Sequence, residues 1–116
     1  MPVKVEKVEN IAAKKVEIAG AKNTAIRVLI SKADGAENFA MRLFEIAAGG
    51  NTPLHSHPHE HEVFVLEGDG VFVCQQQEHR ISSETFILVP GEIEHQFKNN
   101  GKSILRFLCL VPSSAA

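Results

Sequence analysis

Short apolar runs, broken at close intervals by turn signals, restrict what this chain can fold into. Turn-forming clusters stand at "ADG" (33–35), "GG" (49–50), "EGDG" (67–70), "PG" (90–91) and "NNG" (99–101). Between them lie "AIRVLI" (25–30), "FAMRLFEI" (39–46), "EVFVLE" (62–67), "VFVC" (71–74), "TFILV" (85–89), "HQFK" (95–98) and "SILRFLCLV" (103–111). Runs this short and rich in β-branched and aromatic residues read as strands, and several in succession read as a sandwich or barrel. No long helical period competes, and the stretch 9–19 reads as a helical turn or irregular chain. Asn100-Gly101, between two apolar runs, is a hairpin signal because both residues tolerate positive φ. The ending "PSSAA" reads as a frayed terminus.

Some strands are apolar on both faces. In 103–111, Leu105, Phe107, Cys109 and Val111 oppose Ile104, Leu108 and Leu110. An antiparallel sheet with one wet face alternates more cleanly, so both faces need cover. A second sheet supplies part of it and a second subunit the rest, which predicts a homodimer. The alternating "PVKVEKV" start is a candidate edge strand, placing 1–20 at the rim of its own sheet or against a partner. The length, 116 residues, suits one domain with one core. A formal charge of -2 and no Lys/Arg cluster argue against nucleic acid. No apolar run approaches the ~20 residues of a membrane span, and the start lacks a secretion signal's apolar core. A cytoplasmic location is expected, with Cys74 and Cys109 as thiols.

Chemistry concentrates in "HSHPHEHEVFVLEG" (55–68). Side chains alternate faces along a strand, so an extended backbone aims His55 and His57 the same way. Pro58 favours a bend, after which the chain begins the strand holding His61. His95, opening "HQFK", is a fourth candidate. Four neutral imidazoles from different strands would make a preformed metal site suited to Zn, Cu, Fe or Ni. The competing reading is an exposed His-rich tract that binds metal weakly. His59 falls in the presumed turn as a solvent-facing bystander, His79 lies in a polar hairpin, and Glu62 is opposite in parity to His61.

At these residues the chain resembles the cupin family. The first cupin motif, G-x5-H-x-H-x3,4-E-x6-G, is matched by Gly49, His55, His57, His61 and Gly68, with His61 where glutamate usually stands. The second, G-x5-P-x-G-x2-H-x3-N, is matched by Pro90, His95 and Asn99, with Glu84 and Glu92 where the family has glycines. "MRLFEIAAGG" and "FLCLVP" narrow the likeness to small single-domain, four-histidine, manganese-binding cupins. The resemblance implies an all-β double-stranded β-helix, the jelly-roll cupin barrel, as a single domain over 1–116 with its metal motifs at 49–68 and 84–99. It also implies one divalent ion per chain on His55, His57, His61 and His95. Mn or Fe is then expected in the cell, with Zn or Ni as purified, because the latter bind nitrogen more tightly.

Replacing the usual glutamate by His61 leaves the bound ion its full +2 charge, a stronger Lewis acid. A six-coordinate ion on four imidazoles keeps two open positions. The leading functional expectation is therefore a metal-dependent oxidoreductase of dioxygenase type acting on a small organic molecule. The alternatives are a non-catalytic small-molecule-binding or sensing module and a metal-dependent isomerase or lyase. Arg42, Phe107 and Cys109 are candidate pocket residues. Arg42 is either a structural salt-bridge partner or a guanidinium that orients an anionic substrate group. Cys109 is either plain core or a pocket wall.

Overall fold

The computed structural model of the chain describes residues 3–115. Within them nine strands form one curled, antiparallel system: β1 (Lys14–Lys15), β2 (Lys22–Ile30), β3 (Phe39–Asn51), β4 (His61–Glu67), β5 (Asp69–Cys74), β6 (Gln77–Ser82), β7 (Phe86–Val89), β8 (His95–Lys98) and β9 (Leu105–Pro112). Neighbours run β6-β5-β8-β3-β9-β4-β7, with β2 also on β3 and β1 on β2. Single 3-10 turns are the only helical pieces among the described residues. The architecture is the all-β jelly roll that the cupin resemblance implies, built from the short strands that the turn-punctuated sequence leads one to expect.

β3 joins the two halves of the roll. Its residues 39–46 pair with β9, and its last residue, Asn51, pairs with Lys98 of β8. The inward row of β9 is buried at every second position: Leu105, Phe107, Cys109 and Val111. Phe107 stacks on Phe44 at 5.4 Å and on Phe97 at 4.4 Å between ring centroids, closing the centre of the roll. Burial of each such ring contributes about 1.5–3 kcal/mol relative to exposure.

Several local expectations are corrected. β8 and β9 do not pair with each other, so Asn100-Gly101 is a crossover and not a hairpin turn. The buried side chain of Asn99 organises it: Nδ2 donates to the carbonyls of Ile46 and Ser103 at 2.8 Å each, and Oδ1 accepts from Gly101 N at 2.9 Å. The tight hairpin lies instead between β5 and β6, where Gln75 and Gln76 both take positive φ, 51° and 64°. Residues 3–7 pair with no strand of this chain; the edge is made only at Lys14–Lys15. The C-terminal segment is not frayed over 113–115: Ser113 is buried, its N donates to Asn38 O at 3.0 Å, and its hydroxyl donates to Glu37 O at 2.8 Å. Ala116 lies outside the described residues.

The two glutamates at glycine positions of the second motif keep the glycine conformation, with φ of 70° at Glu84 and 68° at Glu92. A left-handed L-residue costs about 1–2 kcal/mol, while glycine costs about 0.5–1 kcal/mol in extra unfolded-state entropy. Glu84→Gly and Glu92→Gly are therefore each expected to stabilise the fold by about 0.5–1 kcal/mol. The check is the urea midpoint, and a lower midpoint in either variant contradicts this account.

Candidate metal centre

The loop between β3 and β4 carries His55, His57 and His59, and it is not a strand. It is zipped along β8 instead. Thr52 N donates to Phe97 O and Phe97 N donates to Thr52 Oγ1, each at 2.9 Å. His55 N donates to His95 O at 3.1 Å, and His95 N donates to His55 O at 2.9 Å. Glu92 N donates to His57 O at 2.7 Å, pinning the loop to the turn before β8. That turn passes so close to the loop that a Cβ on Gly91 would overlap the carbonyl oxygen of Pro58. Period-two alternation is thus not what gathers His55 and His57; a hydrogen-bonded clip onto β8 is.

This clip brings His55, His57 and His95 together, with donor nitrogens all within 4.8 Å of one another, a group that could hold a metal ion. His61, the first residue of β4, stands beside the group. Its ring lies 4.5 Å from that of His57 and 4.8 Å from that of His95, and its Nε2 is 3.1 Å from His95 Nε2. His59 is not a free bystander, since its ring stacks on His57 at 4.1 Å and 3°. His79 is exposed on β6, and Glu62 points outward. The donor set of neutral imidazoles matches what Zn, Cu, Ni or Fe takes from a protein.

Hydrogen bonds fix how these rings present themselves. His95 Nδ1 lies 2.8 Å from Ile93 O, and a carbonyl can only accept, so this nitrogen carries the proton. In the neutral ring its Nε2 is then a bare lone pair turned into the cluster. His61 Nδ1 lies 3.0 Å from Cys109 Sγ, and Arg42 Nη2 donates to the same sulfur at 3.2 Å. Register explains the contact, because Arg42 of β3, Cys109 of β9 and Val63 of β4 lie side by side across the roll. Arg42 also stacks over Phe44 at 5.3 Å.

Burial pushes the His61 imidazole down to about 3, with His95, His57, Arg42 and His59 adding repulsion. His55 and His95 are also lowered, chiefly by burial. Burial pushes the Cys109 thiol up, and Arg42 opposes it. His55, His61 and His95 therefore resist protonation and keep their lone pairs available.

A cavity of about 370 Å³ opens over the histidines. It is lined by Ile26, Phe44, Phe97, Phe107, Cys109 and Arg42, and also by Val16, Glu17, Ile18 and Ala115. Arg42, Phe107 and Cys109 thus all line it. The sequence reading missed Ile26 and the 16–18 segment, which carry no motif; the β2–β3 pairing brings Ile26 here, and the β1–β2 pairing with Val16 N on Thr24 O brings the 16–18 segment. Phe44 and Phe97, read as core, serve as core and wall together.

Residues 42–111, more than half of the chain, match the Cupin domain family. The chain is a cupin. This cupin is 32% identical over 71 residues to a 1-methylthio-D-xylulose 5-phosphate methylsulfurylase of Rhodospirillum rubrum. That match takes in 61% of this chain and 46% of the relative, so the cupin spans about half the length of the curated relative it matches. Among solved structures it is similar to the polyketide cyclase RemF of Streptomyces resistomycificus, with 33% identity and a TM-score of 0.91 over 97% of this chain and 80% of that one. It is also similar to a cupin-2 domain of Rhodospirillum rubrum, at 28% identity and a TM-score of 0.80 over 95% and 74%.

The lowered histidines set an acid limit. Unfolded, His61 takes a proton near 6.5; folded, it does so near 3. Between those values the unfolded chain binds more protons, so stability is fully present above about pH 6.5 and falls as the pH drops toward 3. Urea unfolding of chelator-treated protein at pH 7.5, 5.5 and 4.5 is expected to show a falling midpoint, with a shallower fall in His61→Asn. Equal midpoints would contradict the assignment.

Proposed function

We propose that this cupin holds one divalent ion on His55, His57, His61 and His95 and acts as a metal-dependent enzyme on a small organic molecule bound in the adjoining cavity. The observation that carries the reading is the pair of Nε2 atoms 3.1 Å apart on His61 and His95. About 3 Å is the spacing of adjacent nitrogens each roughly 2.1 Å from a shared six-coordinate ion. When bound, the ion supplies Lewis acidity toward an oxygen donor on the substrate. His61 ligating through Nε2 must carry its proton on Nδ1, which then donates to Cys109 Sγ. The sulfur, held by Arg42, takes the place that a carboxylate or carbonyl takes behind most metal-binding histidines. Phe44, Phe97, Phe107 and Ile26 exclude water from the reacting group. Mn or Fe is the resident ion we propose in the cell, which we take to be cytoplasmic, and Zn or Ni the ions captured on purification.

The likeness to a polyketide cyclase along nearly the whole chain favours Lewis-acid chemistry on an enolisable carbonyl compound. A dioxygenase-type oxidoreductase is the second reading, favoured by the two coordination positions that four imidazoles leave free beside apolar walls. Metal-loaded protein incubated with a panel of 1,3-dicarbonyl compounds separates them. Conversion under strict anaerobiosis supports the first, and oxygen uptake matching product supports the second. Tight binding of acetylacetone without turnover would reduce the protein to a binding module. His61→Ala is expected to weaken Zn²⁺ retention against a chelator most, and Cys109→Ala by about 10–100-fold. Unchanged retention in His61→Ala would remove the four-histidine reading.

We also propose that the protein is a homodimer. β7 is a free sheet edge among the described residues, and Phe86 (81% exposed) and Leu88 (61%) stand on it beside Phe64 of β4. A second copy of the same face would cover this apolar surface. Light scattering is expected to give twice the 12.7 kDa chain mass, and Phe86→Glu to halve it. A wild-type monomer would end the proposal.

A further inference from the structure

Arg42 is a cation without an anion. The described ion pairs are Lys4–Asp34, Arg27–Glu45, Arg106–Glu45 and Arg106–Glu67, and Arg42 belongs to none of them. Its Nη2 donates to the Cys109 sulfur, while its Nε is buried with no hydrogen-bond partner. Apart from Glu17, the described residues lining the cavity include no carboxylate. A half-buried guanidinium facing a sulfur and an aromatic ring is poorly compensated, because desolvating a charge without a counter-ion is costly. The stack on Phe44 and the bond to Cys109 nevertheless hold it in one place, one sulfur atom away from the ring of His61.

We infer that the ligand of this cavity is an organic carboxylate with an apolar body, its carboxylate engaging Arg42 and a second oxygen lying toward the histidine cluster. The inference rests on the metal-centre reading for the second oxygen only; the Arg42 contact stands without it. The donors available at Arg42 suit a carboxylate better than a phosphate ester. One guanidinium, already sharing Nη2 with sulfur, suits a monoanion with two oxygens. A phosphomonoester brings close to two charges and three acceptor oxygens, and the described lining has no lysine, second arginine or helix N-terminus to meet them. The walls of Ile26, Phe44, Phe97 and Phe107 suit a hydrocarbon or aromatic body and oppose a polyhydroxylated sugar chain. The cavity thus departs from the sugar phosphate named for the Rhodospirillum rubrum relative.

Calorimetry with three probes tests this: phenylpyruvate, its neutral methyl ester and phenyl phosphate. Each is titrated into protein carrying a measured one Zn²⁺ per chain and into chelator-treated protein. Wild type is expected to prefer phenylpyruvate over the ester by about tenfold, the size of one charge-assisted hydrogen bond. The preference should collapse toward equality in Arg42→Gln and survive in part in Arg42→Lys, whose thermal melts establish that the fold is kept. Chelator-treated wild type should bind all probes more weakly and keep the preference for the acid. Equal binding of acid and ester by wild type, or an undiminished preference in folded Arg42→Gln, overturns the inference; so does phenyl phosphate binding more tightly than phenylpyruvate. Should His61→Ala prove as good a metal binder as wild type, the four-histidine reading fails while the acid-over-ester preference remains a separate result.

Discussion

Two backbone hydrogen bonds between His55 and His95 hold the rest of the site in place. They fasten an irregular loop to the first residue of a strand, and so they join two sequence motifs that lie forty residues apart. Together with Thr52 on Phe97 and His57 on Glu92, that clip fixes the path of the loop 52–60 along β8. With it, the donors of His55, His57 and His95 meet in a space a few ångströms across. The clip costs no side chain, since only main-chain groups make it. All imidazole nitrogens except those committed to Ile93, to Cys109 and to the carbonyl of His59 are left for other duties.

Much of this was legible in the sequence, for identifiable reasons. Strand positions followed from short apolar runs between turns, and parity on β9 separated Phe107 and Cys109 from Leu108 and Leu110 correctly. The cupin motif spacing pointed to His55, His57, His61 and His95, and the first, second and fourth of these do converge. What was not legible came from pairing partners distant in sequence. Asn100-Gly101 has the composition of a hairpin turn, but the strands on either side belong to different neighbours, and the buried Asn99 side chain shapes the crossover instead. His55 and His57 were grouped by strand alternation, whereas a loop gathers them. His59 was read as a bystander because nothing local reveals a stacking partner two residues away. The contact among Arg42, Cys109 and His61 needs the register of three strands at once, and a linear pattern does not contain that information.

The electrostatic character of the cavity follows from what the fold leaves out. The other half-buried charges among the described residues are matched: Arg27, Glu45 and Arg106, with the more exposed Glu67, form a ladder across β2, β3, β9 and β4, each contact near 3.0–3.1 Å. Such partly exposed pairs contribute little individually. Their presence shows, however, that this chain pairs its half-buried charges where it can. Against that background, a guanidinium beside buried, neutral imidazoles marks a place where binding specificity is favoured over stability.

Part of the cavity lining comes from outside the segment that carries the histidines. Val16, Glu17, Ile18 and Ile26 come from a stretch upstream of residue 42, outside the segment shared with the family, while the histidines fall within it. The upstream strand thus adds apolar wall to a site whose histidines and single guanidinium all lie within residues 42–111.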